Sequence, residues 1–201
     1  MKPSISYITP DQFTRIIEYV PKLKIRRWTD QDIVMLFRIL YECLLRPTEG
    51  IKLEKKDILL DEHKIILHKP KGKLIDEAII PPDFHNDLNN WLDTKADGRL
   101  FDGLTYNTFI RWIYKMGVDL DIIAWTTSQE DSGEKTKGHI FRKSNAKDLL
   151  YGTRDGRKAP INLISAALRH TGKKKIRRNI ETTTGYLKLG SNDVIEWYYN
   201  D

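Results

Sequence analysis

The sequence predicts a mainly α-helical protein with one small antiparallel three-stranded β-sheet, an α+β fold. Apolar residues recur at the spacing of amphipathic helices along most of the chain. Between residues 58 and 80, short runs rich in Ile and Leu alternate with polar turns, which is the pattern of a β-meander. The chain has 201 residues, 40% of them hydrophobic. This is enough for one core, and we treat residues 1–201 as a single domain.

Helix-capping residues predict where the first helices begin. Thr9 precedes Pro10 in the first turn, and Gln12 completes a capping box with Thr9. Thr29 is the predicted N-cap of a second helix, because acidic residues that favour the positive end of the helix dipole follow it. Pro47 ends the apolar stripe of this helix and predicts a short third helix.

The pattern also gives the order of the remaining elements. Three strands are predicted at residues 58–60, 65–67 and 78–80. Four further helices are predicted near residues 83–93, 105–116, 140–151 and 160–169. A helical fold with a single small sheet follows from this order.

Basic residues are concentrated in one part of the chain. Residues 135–188 contain 15 Lys and Arg against 3 Asp and Glu, whereas the rest contains 19 basic and 25 acidic residues. A basic segment on a slightly acidic scaffold favours a surface that binds a polyanion, with nucleic acid as the first candidate. A solvated, Lys-rich surface is the alternative.

Several classes of protein are disfavoured. There is no run of about 18 apolar residues, so no membrane span is expected, and the N-terminus lacks the apolar core of a signal peptide. The single Cys43 cannot form an internal disulfide, which fits a reducing cytoplasm. We expect Cys43 to be a buried thiol rather than a nucleophile.

Six side chains suited to phosphodiester chemistry occur in order: Arg46, Lys71, His139, Arg142, His170 and Tyr186. Arginine offers a planar fork for phosphate oxygens, histidine moves a proton near neutral pH, and a tyrosine can act as a nucleophile. Each residue alone also has an ordinary reading, such as an ion pair of Arg46 with Glu49. The five histidines have no metal-ligand spacing, so no metal is expected.

Taken together, these residues resemble the catalytic domain of the tyrosine recombinases, the phage integrase family. Residues 44–51 are similar to the family's Gly-Leu-Arg-x-Ser-Glu-Leu motif, with Leu44 in place of glycine. Residues 139–142 resemble its His-x-Leu-Arg box, and residues 183–186 match its Thr-x-x-Tyr box. Residues 168–170 resemble its Leu-Gly-His box, with arginine replacing glycine.

A turn between the predicted strands resembles the position of the family's catalytic lysine. Lys71-Gly72-Lys73 is similar to the Lys-Gly-x-Lys turn with one residue missing. We therefore select Lys71, with Lys69 and Lys73 as alternatives. The resemblance spans about residues 8–188 and leaves 189–201 as a C-terminal tail.

The resemblance implies a site-specific DNA recombinase or integrase. Tyr186 would attack the scissile phosphate, form a 3′-phosphotyrosyl link and release a 5′-hydroxyl, while Lys71 would protonate the departing oxygen. The energy of the broken bond is stored in the new ester, so the resemblance implies no cofactor, neither a metal ion nor ATP.

The same resemblance assigns the other four candidate residues. Arg46 and Arg142 would hold the non-bridging phosphate oxygens. His139 would help to accept the phenol proton, and His170 would donate a hydrogen bond to a phosphate oxygen.

The implied partner is double-stranded DNA. The predicted DNA-contacting residues are Lys69, Lys73, Lys143, Arg169, Lys173, Lys174, Lys175, Arg177 and Arg178. The resemblance also implies self-association on DNA, with the C-terminal tail docking on a neighbouring copy or on its own domain, and a cytoplasmic, nucleoid-associated location. Because it begins near residue 8, we expect the family's N-terminal core-binding domain to be absent; the chain is then a catalytic fragment or a minimal protein, and we favour the fragment.

Three alternatives stay open. A type IB topoisomerase would use the same chemistry to relax supercoils as a monomer. A DNA-binding regulator could retain the fold without catalysis, although the presence of all six side chains argues against it. A basic helical RNA-binding module would not depend on Tyr186.

Overall fold

The computed structural model describes residues 7–68, 75–126, 137–153 and 156–169, together with residues 195, 198 and 199. Within these ranges it contains eight α-helices and one three-stranded antiparallel sheet. The predicted fold class is therefore confirmed. None of the helices described is both long enough and apolar enough to span a membrane.

The first three helices are α1 (Pro10–Tyr19), α2 (Asp30–Glu42) and α3 (Pro47–Ile51). The capping box predicted for α1 is formed: the backbone N–H of Gln12 donates to Thr9 Oγ1 at 3.2 Å, and that of Thr9 donates to Gln12 Oε1 at 2.9 Å. Thr29 and Asp32 form an equivalent box on α2. These bonds satisfy backbone donors that a helix N-terminus otherwise leaves free.

The sheet consists of β1 (Ile58–Leu59), β2 (Lys64–His68) and β3 (Ile75–Ile79), paired in that order. Ile65 pairs with Ile58 on one side and Ala78 on the other, and all three are buried. A slip of one residue would turn Lys64 toward the core, so burial fixes the register. Strand β3 begins three residues before the predicted start, because the polar Asp76 and Glu77 mask it in the sequence.

Five further helices complete the described structure: α4 (Pro82–Leu92), α5 (Tyr106–Asp119), α6 (Ile123–Thr126), α7 (Ile140–Tyr151) and α8 (Ile161–Ala167). Four of them lie where the sequence predicted helices. Helix α6 was missed, since four residues are too few to show a period. Pro82 is the first residue of α4, a position that suits the fixed φ of proline.

Aromatic side chains hold the helices around one core. Phe37 of α2 stacks on Phe141 of α7 with ring centroids 5.3 Å apart, and it meets Phe109 of α5 edge-on at 6.1 Å. Trp125 of α6 packs against Phe141 at 5.3 Å. This packing joins α2, α5, α6 and α7.

Two sequence expectations concern residues outside this cluster. Cys43 is buried, and burial raises the pKa of its thiol well above the usual value, as expected for an unreactive cysteine. Tyr199 of the C-terminal tail packs on its own domain: its ring stacks on His63 at 4.0 Å and its hydroxyl donates to the Ile80 carbonyl at 2.8 Å. The predicted self-association stays a prediction.

Candidate active site

The structure describes three of the six predicted catalytic residues: Arg46, His139 and Arg142. The other three, Lys71, His170 and Tyr186, lie outside the described residues. Of the predicted DNA-contacting residues, the structure describes Lys143 and Arg169. Those outside the described residues are Lys69, Lys73, Lys173, Lys174, Lys175, Arg177 and Arg178.

A left-handed turn between α2 and α3 carries Arg46 into the site. Leu44 has a φ of +53°, which turns the chain sharply after α2. Arg46 then occupies the N-cap position of α3, and Pro47 begins that helix. A non-glycine residue in this region costs roughly 1–3 kcal/mol and persists only where its surroundings hold it. Here Leu44 is buried, and its carbonyl accepts hydrogen bonds from two arginines.

Glu49 fixes the orientation of Arg46. Its Oε1 accepts a hydrogen bond from Arg46 Nη1 at 2.5 Å, and its Oε2 accepts one from the Arg46 backbone N–H at 2.7 Å. Burial raises the pKa of Glu49, but the Arg169 charge and the hydrogen bonds from Arg46 outweigh burial, and the net pKa is lowered. Glu49 is therefore an anion at neutral pH, as the spacing of residues 46 and 49 suggested.

A pocket of about 250 Å³ lies beside Arg46. It is lined by side chains of α3 and by His68 and Asp76 of the sheet. His68 is the last residue of β2, and Asp76 lies in β3, so the pocket reaches the sheet as well as α3. Within the described ranges, no cluster of three His, Cys, Asp or Glu side chains is arranged to bind a metal ion.

Arg142 is buried in the first turn of α7 and links three elements. Its Nη1 donates to the Leu44 carbonyl at 2.7 Å, and its Nη2 donates to the Leu168 carbonyl at the end of α8. Burial, together with the charges of Arg169 and Arg46, lowers the pKa of Arg142 to about 9. The guanidinium therefore stays charged at neutral pH.

His139 is the N-cap residue of α7 and is half-buried. Burial lowers its pKa below the usual 6.5, and the charges of Arg142 and Arg46 lower it further. The imidazole is consequently neutral at pH 7 and can accept a proton. The preceding Gly138 allows close approach to the α3 turn, since a Cβ there would lie 2.7 Å from Pro47 Cγ.

The position of Arg169 differs from the sequence prediction. We predicted a surface contact with DNA, but the side chain is only 3% exposed. Its Nη2 donates to Glu49 Oε2 at 2.8 Å, and its Nε lies 3.5 Å from Asp76 Oδ2. Two acidic partners draw the guanidinium inward. Lys143, by contrast, lies on the exposed side of α7, and its predicted role in DNA binding stays a prediction.

Sequence reasoning also missed Asp76. The signal was present in the strand pattern, because Asp76 is two residues before the buried Ala78 and therefore lies on the same face of β3. An acidic residue on the inward face of a strand indicates a buried cation, here Arg169.

Comparison with known proteins supports the fold assignment. No protein-family model matches the sequence, and no curated protein matches it. Among solved structures, XerA recombinase is 21% identical over 96% of this chain, with a TM-score of 0.61. The catalytic domain of bacteriophage HP1 integrase is 17% identical over 95% of the chain, with a TM-score of 0.57. The chain therefore has the catalytic-domain fold of the tyrosine recombinases.

The extent of the likeness differs between these structures. The chain spans 92% of the HP1 integrase catalytic domain but 64% of the XerA recombinase chain. It spans 54% of XerH site-specific recombinase, solved with its difH substrate in a pre-cleavage complex, at 18% identity and a TM-score of 0.58. The chain thus spans less than two thirds of the length of XerA and of XerH.

Proposed function

We propose that this protein breaks and rejoins DNA strands at specific sites through a covalent tyrosyl intermediate. The observation that carries the proposal is the convergence of Arg46, His139 and Arg142 within a recombinase catalytic-domain fold. About 95 residues separate Arg46 from the other two in sequence, yet the charges of both arginines act on His139. Two arginines and a histidine in one place suit the binding of a phosphate better than a purely structural ion pair does.

The electrostatics suit attack on a phosphodiester. Arg142 stays charged at neutral pH, and together with Arg46 it would stabilise the extra negative charge that develops on the non-bridging oxygens. His139 is neutral under the same conditions and would accept the proton of an attacking phenol. A general base is needed because a free tyrosine has a pKa of about 10.

The proposal assigns the remaining steps to residues identified by sequence. Tyr186 attacks phosphorus, a 3′-phosphotyrosyl bond forms, and the bond to the 5′-oxygen breaks. Lys71 donates a proton to that oxygen, and His170 donates a hydrogen bond to the phosphate. Reversal of these steps with a second 5′-hydroxyl rejoins the strands, so the number of phosphodiester bonds is conserved without metal or ATP.

The proposed partner is double-stranded DNA, bound as a dimer or tetramer. XerH, solved bound to its difH substrate, and the Tn1549 transposon integrase, solved with transposon right end DNA, are similar to this chain in fold. The basic segment 135–178 would follow the phosphate backbone. Such contacts position a duplex and do not read its sequence.

The test is covalent trapping on a nicked suicide substrate drawn from a random-sequence pool. Wild-type protein is expected to give a protein–DNA band on a denaturing gel, and Tyr186→Phe should abolish it. Tyr151→Phe is the matched control, because Tyr151 is an exposed tyrosine on α7 and should leave the band unchanged.

Other outcomes identify the alternatives. A covalent band together with relaxation of supercoiled plasmid by a monomer, without strand exchange, would indicate a type IB topoisomerase. DNA binding without any band would indicate a non-catalytic DNA-binding protein. Preference for RNA, unchanged in Tyr186→Phe, would indicate an RNA-binding module.

A further inference from the structure

Arg169 occupies a position where the backbone conformation favours glycine over arginine. It follows α8 with a φ of +51°, a conformation that glycine adopts without strain. The motif that residues 168–170 resemble has glycine at this place. The side chain is nevertheless buried, so the protein both strains the backbone and desolvates a guanidinium here. Interactions of the guanidinium must compensate for both costs.

Those interactions place Arg169 between the two arginines that are proposed to hold the phosphate. Its Nη2 donates to Glu49 Oε2 at 2.8 Å, and Glu49 Oε1 accepts the bond from Arg46. The same Nη2 lies 3.3 Å from the Leu44 carbonyl, which also accepts from Arg142 at 2.7 Å. One guanidinium thus reaches Arg46 through a carboxylate and Arg142 through a carbonyl.

Arg169 also sets the charge of the site. Arg46, Arg142 and Arg169 face two carboxylates, Glu49 and Asp76, so this group of five carries a net charge of plus one. Without Arg169 its net charge would be zero. A phosphate, and still more a dianionic transition state, requires a positive site.

We propose that Arg169 is a positioning residue that neutralises Glu49 and Asp76 and holds Arg46 and Arg142 in one phosphate-binding frame. This inference rests on the proposed function of Arg46 and Arg142. It gives Arg169 a role inside the site, in place of the surface contact with DNA that the sequence predicted.

The test compares Arg169→Gly, which restores the unstrained backbone, with Arg169→Lys, which keeps the charge but loses the fork. Lys24→Gly is the matched control, because Lys24 is an exposed cation with the same φ of +51°. Two measurements do not depend on cleavage: the pKa of the Glu49 carboxyl by NMR titration, and the affinity for inorganic phosphate followed at the His139 ring signals. The third is the rate of covalent trapping on nicked DNA.

In Arg169→Gly we expect the pKa of Glu49 to rise and the affinity for inorganic phosphate to fall by about tenfold or more. Covalent trapping should slow by about tenfold or more, with little change in KM for DNA. Arg169→Lys should keep the pKa of Glu49 close to that of the wild type yet recover only part of the trapping rate. Lys24→Gly should match the wild type in all three measurements.

The outcomes separate this inference from the proposed function. An unchanged Glu49 pKa or unchanged phosphate affinity in Arg169→Gly would overturn the positioning role, and so would a wild-type protein that binds no phosphate. If the wild type traps no DNA but both cleavage-independent measurements change as expected, the proposed function fails and the positioning role stands. Arg169→Lys provides the trapping comparison if Arg169→Gly does not fold.

Discussion

Glu49 offers the most direct test of how the site is held together. Its carboxylate accepts from Arg46 at 2.5 Å and from Arg169 at 2.8 Å, and its side chain is only 19% exposed. Glu49→Gln removes the charge while keeping nearly the same shape and one acceptor oxygen. The buried Arg169 then retains a single acidic neighbour, Asp76, at 3.5 Å.

The expected loss of stability follows from this geometry. Removing one partner of a buried ion pair costs about 3–5 kcal/mol, because the other charge stays buried and unpaired. Because one acceptor oxygen and Asp76 remain near Arg169, the loss for Glu49→Gln should lie at the lower end of this range, at about 3 kcal/mol. For a chain of this size, that loss corresponds to a fall in Tm of roughly 6–12 °C.

Thermal unfolding followed by circular dichroism measures the Tm, and urea unfolding measures the free energy. The matched control is Glu54→Gln: Glu54 pairs with a largely exposed Lys56, Gln keeps an oxygen for the capping bond from Asp57, and the loss should stay below about 1 kcal/mol. A loss below about 1 kcal/mol in Glu49→Gln, the size of one ordinary hydrogen bond, would refute the argument that Arg169 depends on Glu49.

Three further predictions concern Glu49, His139 and Gly138. Because folding lowers the pKa of Glu49, the stabilisation by its carboxylate is complete above pH 4.5, the ordinary pKa, and is lost as the pH falls through the pKa of the folded state. The unfolding curves of wild type and Glu49→Gln should therefore converge in acid. His139 should titrate by NMR below pH 6.5, and trapping should decline on the acid side of that midpoint; a midpoint above 6.5 would contradict the neutral imidazole. Gly138→Ala should lower the free energy of unfolding by about 1–3 kcal/mol, because its Cβ would lie 2.7 Å from Pro47 and 3.2 Å from Phe109. It should also slow trapping, since the new Cβ displaces the neighbouring His139. An unchanged Tm would contradict the close packing.

Much of the fold could be predicted because local signals are strong where helices begin. Thr9 and Thr29 cap helices where the sequence placed the caps, and the β-meander has the predicted order. Boundaries were less accurate where tertiary contacts override local pattern. The start of β3 was missed because Asp76 and Glu77 are polar, and the cation that pairs with Asp76, Arg169, lies in a distant part of the chain.

The site was predicted less completely than the fold. Sequence order identified Arg46, His139 and Arg142 as candidates, and the structure describes all three in one region. The sequence alone could not distinguish a buried arginine from an exposed one. Arg169 adjoins a run of lysines and arginines in the sequence, so charge density suggested a DNA-contacting surface, whereas its burial depends on Glu49, which is 120 residues away.

Leu44 and Arg169 both have a left-handed backbone, and hydrogen bonds to arginine side chains surround both turns. Both replace the glycine of the motif that they resemble, and both have a φ above +50°. The turn at Leu44 presents its carbonyl to Arg142 and Arg169 together. The turn at Arg169 follows directly after Leu168, whose carbonyl accepts the second bond of Arg142. The backbone strain at each turn, roughly 1–3 kcal/mol, is offset by charged hydrogen bonds of about 1.5–3 kcal/mol each. The two turns therefore depend on each other, since the Leu44 carbonyl gains its second donor from the side chain of Arg169.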